Sequence, residues 1–192
     1  FANTQMRRAV FTGANLLDAT WGAADWQGAR LAGQTFHKRD LRGMRLPQAD
    51  LSATTFMECN LAGVDLHGAT LESATFVTSN LDAADLRVAR CAGAVAVQNS
   101  RMKDADLSGA DLRGFNFGAG DLRGVKMVRA VLDGANLCEA RIDGADLRLS
   151  SAKGALMRLT NCTGALLSGV NFSDAVLQKS DLRGADLRRS NL

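Results

Sequence analysis

The chain has 192 residues, 46% of them hydrophobic, which is enough to bury the core of a single domain. It contains no run of about 18 apolar residues, so we expect no membrane-spanning helix, and the given sequence shows no secretory leader pattern. The net charge of +3 names no partner class by itself, and 19 Gly beside a single Pro favour regular turns over a disordered linker.

In the first half of the chain, an apolar or small residue recurs every five positions. The series starts at Phe1, steps by five through Phe36 and Phe56, and reaches Ala96. In most pentads a small residue lies two positions before this central residue, and the position just before it is often Asp or Asn. A period of five fits neither an amphipathic helix nor a simple strand. It predicts a chain that turns a corner every five residues and buries one large and one small side chain each time.

Three successive pentads depart from the pattern. Gln34, Arg39 and Met44 stand where small inward residues are expected. Because a buried arginine without a partner is costly, we expect the coil to be irregular here and to turn Arg39 outward, near Pro47. Such an irregularity is either functional or a tolerated defect.

The five-residue frame slips by one residue at 97–101. It resumes at Met102 and continues to Leu192, and Phe115 then occupies another position where a small residue is expected. We expect a bulge in this region. Bulges often lie at functional sites, although in repetitive folds many are tolerated defects.

Pentads such as 105–109, with the sequence ADLSG, show the complete pattern. The chain resembles the pentapeptide-repeat family, whose signature is A-(D/N)-L-x-x, and the resemblance covers its whole length. It implies an all-β fold, a right-handed quadrilateral β-helix of about ten coils with four pentads each, as one domain over residues 1–192. Since the sequence begins with Phe1 and shows no capping helix, we expect a domain of a longer protein.

Counting modulo twenty assigns the pentads to four faces. Sixteen of the 19 Gly occupy the last pentad position on three of these faces, where they can supply the positive φ of a turn. The fourth face has none there, and we call it the Gly-free face. We expect it to be flatter and more strand-like. Its outward positions hold Leu17, His37, Met57, Val77 and Val97, and Thr35, Thr55 and Thr75 precede its central residues.

This strip of the Gly-free face is the candidate partner-binding surface. A contiguous exposed apolar patch on a globular domain indicates a partner. The alternative is that β-branched residues merely pair well along stacked strands, which does not explain Leu17 or Met57. The partner is then another protein, a second copy of the chain, or a domain outside this sequence.

The sequence offers no catalytic, cofactor or metal site. His37 and His67 fall on different faces, and no Cys-x-x-Cys occurs. Cys59, Cys91 and Cys162 fall at inward positions, as expected for core thiols. The many Asp residues recur with the repeat, so turn formation explains them. We expect no enzyme, no cofactor and no small-molecule substrate.

The resemblance implies a non-enzymatic protein-interaction scaffold of the bacterial cytoplasm. Family members also serve as type VI secretion adaptors or toxin-neutralising immunity proteins, and we expect a domain of that kind. The alternative is a DNA mimic that binds and protects DNA gyrase. Such mimicry needs a strongly negative rod, whereas this chain carries +3.

Direct binding of nucleic acid is a third hypothesis. It rests on outward cations of the C-terminal half, which are Arg113, Arg123, Arg148, Lys153, Arg158, Arg183 and Arg188. They are spread over all four faces, and the aromatic residues are expected to point inward, so no stacking platform for bases is predicted. Solvated charges that keep the rod soluble are the simpler explanation.

Overall fold

The fold is an all-β solenoid, as predicted. The structure is a computed structural model that describes residues 4–11, 14, 24–97 and 100–192. This part of the chain forms no helix, and therefore none that could cross a membrane. Parallel bridges join residues one coil apart. One column of bridges contains one residue from each of ten coils, namely Gln5, Asp25, Arg45, Asp65, Asp85, Asp106, Lys126, Asp146, Leu166 and Asp186.

Backbone hydrogen bonds both stack the coils and close their corners. The N–H of Leu46 donates to the carbonyl of Asp65 in the next coil at 2.8 Å, and the N–H of Asp65 donates back to the carbonyl of Met44 at 3.0 Å. At the corner, the N–H of Ala49 donates to the carbonyl of Leu46 at 3.1 Å. The same pattern recurs through the described coils, so polar backbone groups around the buried core are satisfied within the solenoid.

Four short strands lie on the Gly-free face. They are β1 (Thr35–His37), β2 (Thr55–Met57), β3 (Thr75–Val77) and β4 (Val95–Val97), and they form one parallel sheet in that order. The strand-like character expected of this face is confirmed for these coils.

Beyond the slip, the same face adopts the turn geometry of the other faces, so the expectation is wrong there. In two of these coils the physical reason is visible. The side-chain oxygens of Asn116 and Asn136 accept the N–H groups of Gly118 and Cys138, each at 3.0 Å. An asparagine that bonds the backbone two residues on stabilises a turn in place of a strand.

The core contains a ladder of phenylalanines. Phe36, Phe56 and Phe76 stack with ring centroids 5.2 and 5.1 Å apart and nearly parallel planes. The next coil has Ala96 at this position, and Phe117 follows in the coil after that. Phe115, at a position where the repeat has a small residue, is buried and stacks on Phe117 at 3.9 Å. We infer that its ring fills the space that Ala96 leaves.

The slip is visible as a change in pairing offset. Val77 pairs with Val97 at an offset of 20 residues, whereas Asn80 pairs with Arg101 at an offset of 21. Later coils return to 20, as in the pairing of Arg101 with Asp121. The extra residue therefore lies between Val97 and Arg101, a segment of which residues 98 and 99 lie outside the described part.

Buried hydroxyls bridge the coils at the corner beside the slip. Ser79 Oγ accepts the N–H of Cys59 at 3.1 Å and donates to the carbonyl of Phe56 at 3.1 Å. One coil on, Ser100 Oγ accepts the N–H of Ser79 at 3.2 Å and donates to the carbonyl of Phe76 at 3.0 Å. Stacking on the inside of this corner therefore continues across the inserted residue.

The last pentad position is left-handed whichever residue occupies it. In the described part of the chain, fifteen glycines and 18 other residues have positive φ. On the Gly-free face, Lys38, Glu58 and Thr78 have φ of 53°, 54° and 49°. The absence of glycine there thus does not change the sign of φ. The hydrogen bonding of the stacked corner imposes this conformation, and non-glycine residues adopt it in spite of its unfavourable free energy.

The free-energy cost of the left-handed backbone can be measured at Val88. It has φ of 50° and is 52% exposed. We expect Val88→Gly to raise the free energy of unfolding by about 0.5–1 kcal/mol, because left-handed strain of about 1–2 kcal/mol outweighs the entropy cost of glycine. Urea denaturation followed by circular dichroism measures the change. Val88→Ala, which keeps the Cβ atom, is the control, and a destabilised glycine variant would contradict the strain argument.

Candidate interaction surface

The outward residues of the predicted strip form one column on the N-terminal half of the Gly-free face. His37, Met57, Val77 and Val97 pair successively through the sheet. His37 is exposed, Met57 is 37% exposed and Val77 is half-buried. The side chain of Val97, and Leu17 altogether, lie outside the described residues.

The three threonines of the strip form the neighbouring column. Thr35, Thr55 and Thr75 pair with one another and then with Val95. Thr35 is exposed, and Thr55 and Thr75 are half-buried. The column therefore places methyl and hydroxyl groups beside Met57 and Val77.

A second apolar patch on the same face was not predicted. Leu156 and Leu159 are each 44% exposed, and Val176, which pairs with Leu156, is 41% exposed. The sequence signal was available, because Leu156 and Val176 stand where the repeat usually has Asp or Asn. The predicted strip ends at Val97 and therefore does not include this patch. The apolar surface of the Gly-free face thus extends over both halves of the solenoid.

The charges beside these patches differ between the two halves. In the N-terminal half, Glu58 is within 3.4 Å of His37 and 3.6 Å of Lys38. In the C-terminal half, Arg158 and Lys179 are exposed and form no ion pair with a described residue. A partner that covers the whole face therefore contacts charged side chains that are already paired at one end, and cations without an ion-pair partner among the described residues at the other.

The other three faces carry a different surface, built from Asp-Leu-Arg triplets. In each triplet the arginine donates at least two side-chain hydrogen bonds to the aspartate two residues earlier; for Arg113 and Asp111 these are 2.8 and 2.5 Å. The seven pairs are Asp40–Arg42, Asp85–Arg87, Asp111–Arg113, Asp121–Arg123, Asp146–Arg148, Asp181–Arg183 and Asp186–Arg188. None of these triplets occurs on the Gly-free face.

These pairs hold the aspartates in their charged form. Hydrogen bonds from Arg42, from Arg183 and from Arg188 lower the pKa of Asp40, of Asp181 and of Asp186 to about 2. Five of the seven cations considered above for nucleic-acid binding are therefore neutralised by a neighbour. Binding of phosphates would have to displace those carboxylates, which makes the nucleic-acid hypothesis weaker than the sequence indicated.

The coil with large inward residues keeps its hydrogen bonding. The carbonyls of Gln34, Arg39 and Met44 accept the N–H groups of the next coil at 2.8–3.0 Å. Gln34 is buried and its side-chain amide donates to the carbonyl of Phe11 at 2.8 Å. Met44 is buried in the core, and Arg39 is half-buried. Backbone stacking therefore accommodates these side chains without interruption.

Three of the four cysteines belong to the core. Burial raises the pKa of Cys91 and of Cys162 to about 12 and also raises the pKa of Cys59, so these thiols stay protonated at neutral pH. Cys138 is half-buried on the Gly-free face. Among the described residues, no group of three or more His, Cys, Asp or Glu side chains is placed to hold a metal ion.

Thiol labelling should therefore select one cysteine. We expect iodoacetamide to modify Cys138 in the folded protein and all four cysteines in urea, because in the folded protein the other three thiols are buried away from the reagent. Mass spectrometry of tryptic peptides identifies the labelled sites. Equal labelling of Cys91 and Cys138 under native conditions would contradict the buried core, and Cys138→Ser is the control.

The comparisons with known proteins agree on the fold. The pentapeptide-repeat pattern matches residues 40–72, 121–151 and 155–192, with eight copies. HetL, a pentapeptide repeat protein involved in heterocyst differentiation regulation in the cyanobacterium Nostoc, is 25% identical with a TM-score of 0.54, over 86% of this chain and 83% of its own. QnrB1, a plasmid-mediated fluoroquinolone resistance protein, is 22% identical with a TM-score of 0.61, over 100% and 87%. No curated protein sequence matches significantly. The family pattern covers more than half of the residues, and the chain belongs to the pentapeptide-repeat family.

Proposed function

We propose that this protein is a non-enzymatic scaffold that binds another protein through its Gly-free face. The observation that carries the proposal is the division of the surface. The Asp-Leu-Arg triplets are confined to three faces, and the fourth face lacks them and exposes Met57, Leu156, Leu159 and Val176. Since solvated ion pairs contribute little to association and exposed aliphatic groups gain free energy on burial, the Gly-free face is the favourable contact.

The rigidity of the face supports the same function. The backbone around Leu156 is bonded to the coils above and below: its N–H donates to the carbonyl of Ala135 in one neighbouring coil, and the N–H of Met157 donates to the carbonyl of Val176 in the other. A preformed surface loses little conformational entropy on binding. Burial of a large aliphatic side chain from full exposure contributes about 1.5–3 kcal/mol, and side chains that are 37–44% exposed gain the corresponding fraction.

The setting that we propose is the bacterial cytoplasm. All four cysteines are free, which fits a reducing compartment. The comparisons give no support to a type VI adaptor or an immunity protein, and we do not propose either role.

The gyrase-binding alternative is less favoured by the charges. A mimic of duplex DNA needs about one negative charge per 1.7 Å of length. This chain carries 23 basic and 20 acidic residues, a net charge of +3. The likeness to QnrB1 extends to the fold alone, and a supercoiling assay with and without a quinolone tests the alternative directly.

Site-specific photo-crosslinking in cells tests the proposed surface. We expect a crosslinkable amino acid at Met57 or Leu156 to capture a defined partner, and one at Val10 to capture none. Val10 is the matched control because it is a 65% exposed aliphatic residue in the column of Arg30, on another face.

Affinity for the captured protein then decides the proposal. Met57→Thr combined with Leu156→Thr should weaken binding at least about tenfold, since two buried aliphatic contacts are lost, whereas Val10→Thr should leave it unchanged. If all three crosslinkers capture the same proteins with equal yield, the Gly-free face is not the docking surface. Light scattering of the purified protein separates capture of a second copy from capture of a different protein.

A further inference from the structure

A second surface lies on a different edge of the solenoid, at the last pentad positions of four successive coils. We call it the Arg129–Arg189 edge, and it consists of Arg129, Leu149, Gly169 and Arg189. Each N–H of the first three donates to the next coil, at 3.0, 3.1 and 2.9 Å, so the residues lie one above another. At about 4.8 Å per coil, the backbones of Arg129 and Arg189 are roughly 14 Å apart.

Leu149 lies at the centre of this edge, where both its solvent exposure and its backbone conformation are unfavourable. It is 57% exposed and has φ of 62°, a left-handed conformation that disfavours any side chain. Its Cδ2 atom lies over Gly169, where a Cβ atom would be only 2.9 Å away. Because Gly169 has no side chain, the side chain of Leu149 can lie across it along the solenoid axis. Among the described residues, 18 non-glycine residues share this left-handed conformation, so the feature that marks this corner is the exposed aliphatic side chain and not the backbone.

The two arginines at the ends of the edge are free to bind an anion. Arg129 and Arg189 are exposed and form no ion pair with any residue in the described part of the chain. Their neighbours Arg148 and Arg188 are instead held by Asp146 and by Asp186. The edge thus places an apolar platform between two unpaired guanidinium groups.

The surrounding face provides both charge and shape. The ten pentads of the column that begins at Gln5 hold nine basic residues and six aspartates, a balance of +3 that equals the net charge of the whole chain. A shallow groove of about 450 Å³ is lined by Val128, Arg129, Arg148, Leu149 and Ser168. A second groove of about 300 Å³ follows beside Ser168, Arg188 and Arg189. Together they run along the rod past Leu149.

We propose that the Arg129–Arg189 edge binds an extended acidic segment of a partner protein, in which two carboxylates four residues apart flank an aliphatic side chain. In an extended chain, side chains at positions 1, 3 and 5 point to the same side, and four residues span roughly 13 Å. This matches the separation of the two arginines, and guanidinium groups bind carboxylates in paired geometry. The aliphatic side chain then packs on Leu149.

Nucleic acid fits this edge less well than a peptide does. An apolar leucine occupies the centre, where a phosphate backbone would need another cation. The charge pattern of cation, aliphatic residue and cation therefore favours a peptide with the complementary pattern.

Fluorescence anisotropy with short peptides tests the proposal. The probe is a labelled peptide that contains Glu-Ala-Leu-Ala-Glu, and we expect it to bind at low salt. Replacing both glutamates by glutamine, or the leucine by serine, should each weaken binding at least about tenfold. A peptide with the two glutamates adjacent should also bind more weakly, because it cannot reach both arginines.

Protein variants separate this edge from general positive charge. Arg129→Gln with Arg189→Gln should weaken binding at least about tenfold, whereas Lys153→Gln, an exposed cation on another face without an ion pair to a described residue, should not. Leu149→Gly should weaken binding while the thermal midpoint stays equal or rises, so the loss cannot come from unfolding. Equal binding by the two-arginine variant, or equally tight binding of a single-stranded oligodeoxythymidine of matched charge, overturns the proposal. Met57→Thr with Leu156→Thr should leave peptide binding unchanged. The proposal for this edge and the proposal for the Gly-free face are therefore tested independently.

Discussion

Replacing Phe56 by alanine should lower the free energy of unfolding by about 3–5 kcal/mol. Phe56 is fully buried and stacks between Phe36 and Phe76 at 5.2 and 5.1 Å. The cavity that alanine leaves cannot collapse, because backbone bonds on both sides fix the spacing of the coils. The lost ring contacts add to the cost.

Urea denaturation followed by circular dichroism measures this loss. Met57→Ala is the matched control, since it removes the neighbouring but exposed side chain and should change stability by less than about 0.5 kcal/mol. Phe56→Leu should lie between the two, because leucine refills part of the volume. A loss below about 1 kcal/mol in Phe56→Ala would show that the coils close around the cavity, contrary to a rigid ladder.

The second large effect concerns the exchange of volumes at the slip. Phe115→Ala should also cost about 3–5 kcal/mol, because the ring is buried against Phe117. Ala96→Phe should cost about 1–3 kcal/mol by overpacking, since a second ring then competes for the same space. In the double variant the new ring at position 96 replaces the lost one and continues the ladder of Phe76.

A double-mutant cycle decides whether the two positions share one space. We expect the double variant to be more stable than the sum of the single changes by at least about 1 kcal/mol. Strictly additive changes would mean that Phe115 does not fill the room beside Ala96. Ala94→Val with Phe115→Ala is a useful comparison, because it adds volume at another small inward position of the same region.

The outward charges illustrate what sequence patterns can and cannot predict. The Asp-Leu-Arg triplets are visible in the sequence, but the sequence pattern alone predicts only solvated arginines. Their pairing depends on the corner geometry, which brings the side chain after a central residue back beside the one before it, as in Asp111 and Arg113. Once that geometry is known, each triplet predicts a neutralised pair.

The residues of the candidate surfaces also divide into those that the repeat period predicts and those that it does not. Counting by five and by twenty placed Met57 and Val77 on one outward column, because the period fixes which positions face inward. It did not identify Leu156, Leu159 or Val176, whose exposure depends on the residues of the adjacent coils. Nor did it identify Leu149, since its orientation is set by Gly169, twenty residues later in the sequence.

The sequence by itself determined the five-residue turn, the inward large and small residues, the four faces and the position of the slip. These features repeat within each pentad, so local side-chain size and spacing are enough to specify them. Only the tertiary structure decided how far the strands extend on the Gly-free face, that Phe115 lies inside beside Phe117, and that Val88 and Leu149 adopt a left-handed backbone. Each of these depends on contacts between coils about twenty residues apart, where the hydrogen bonding of one coil sets the backbone and the free volume available to the next.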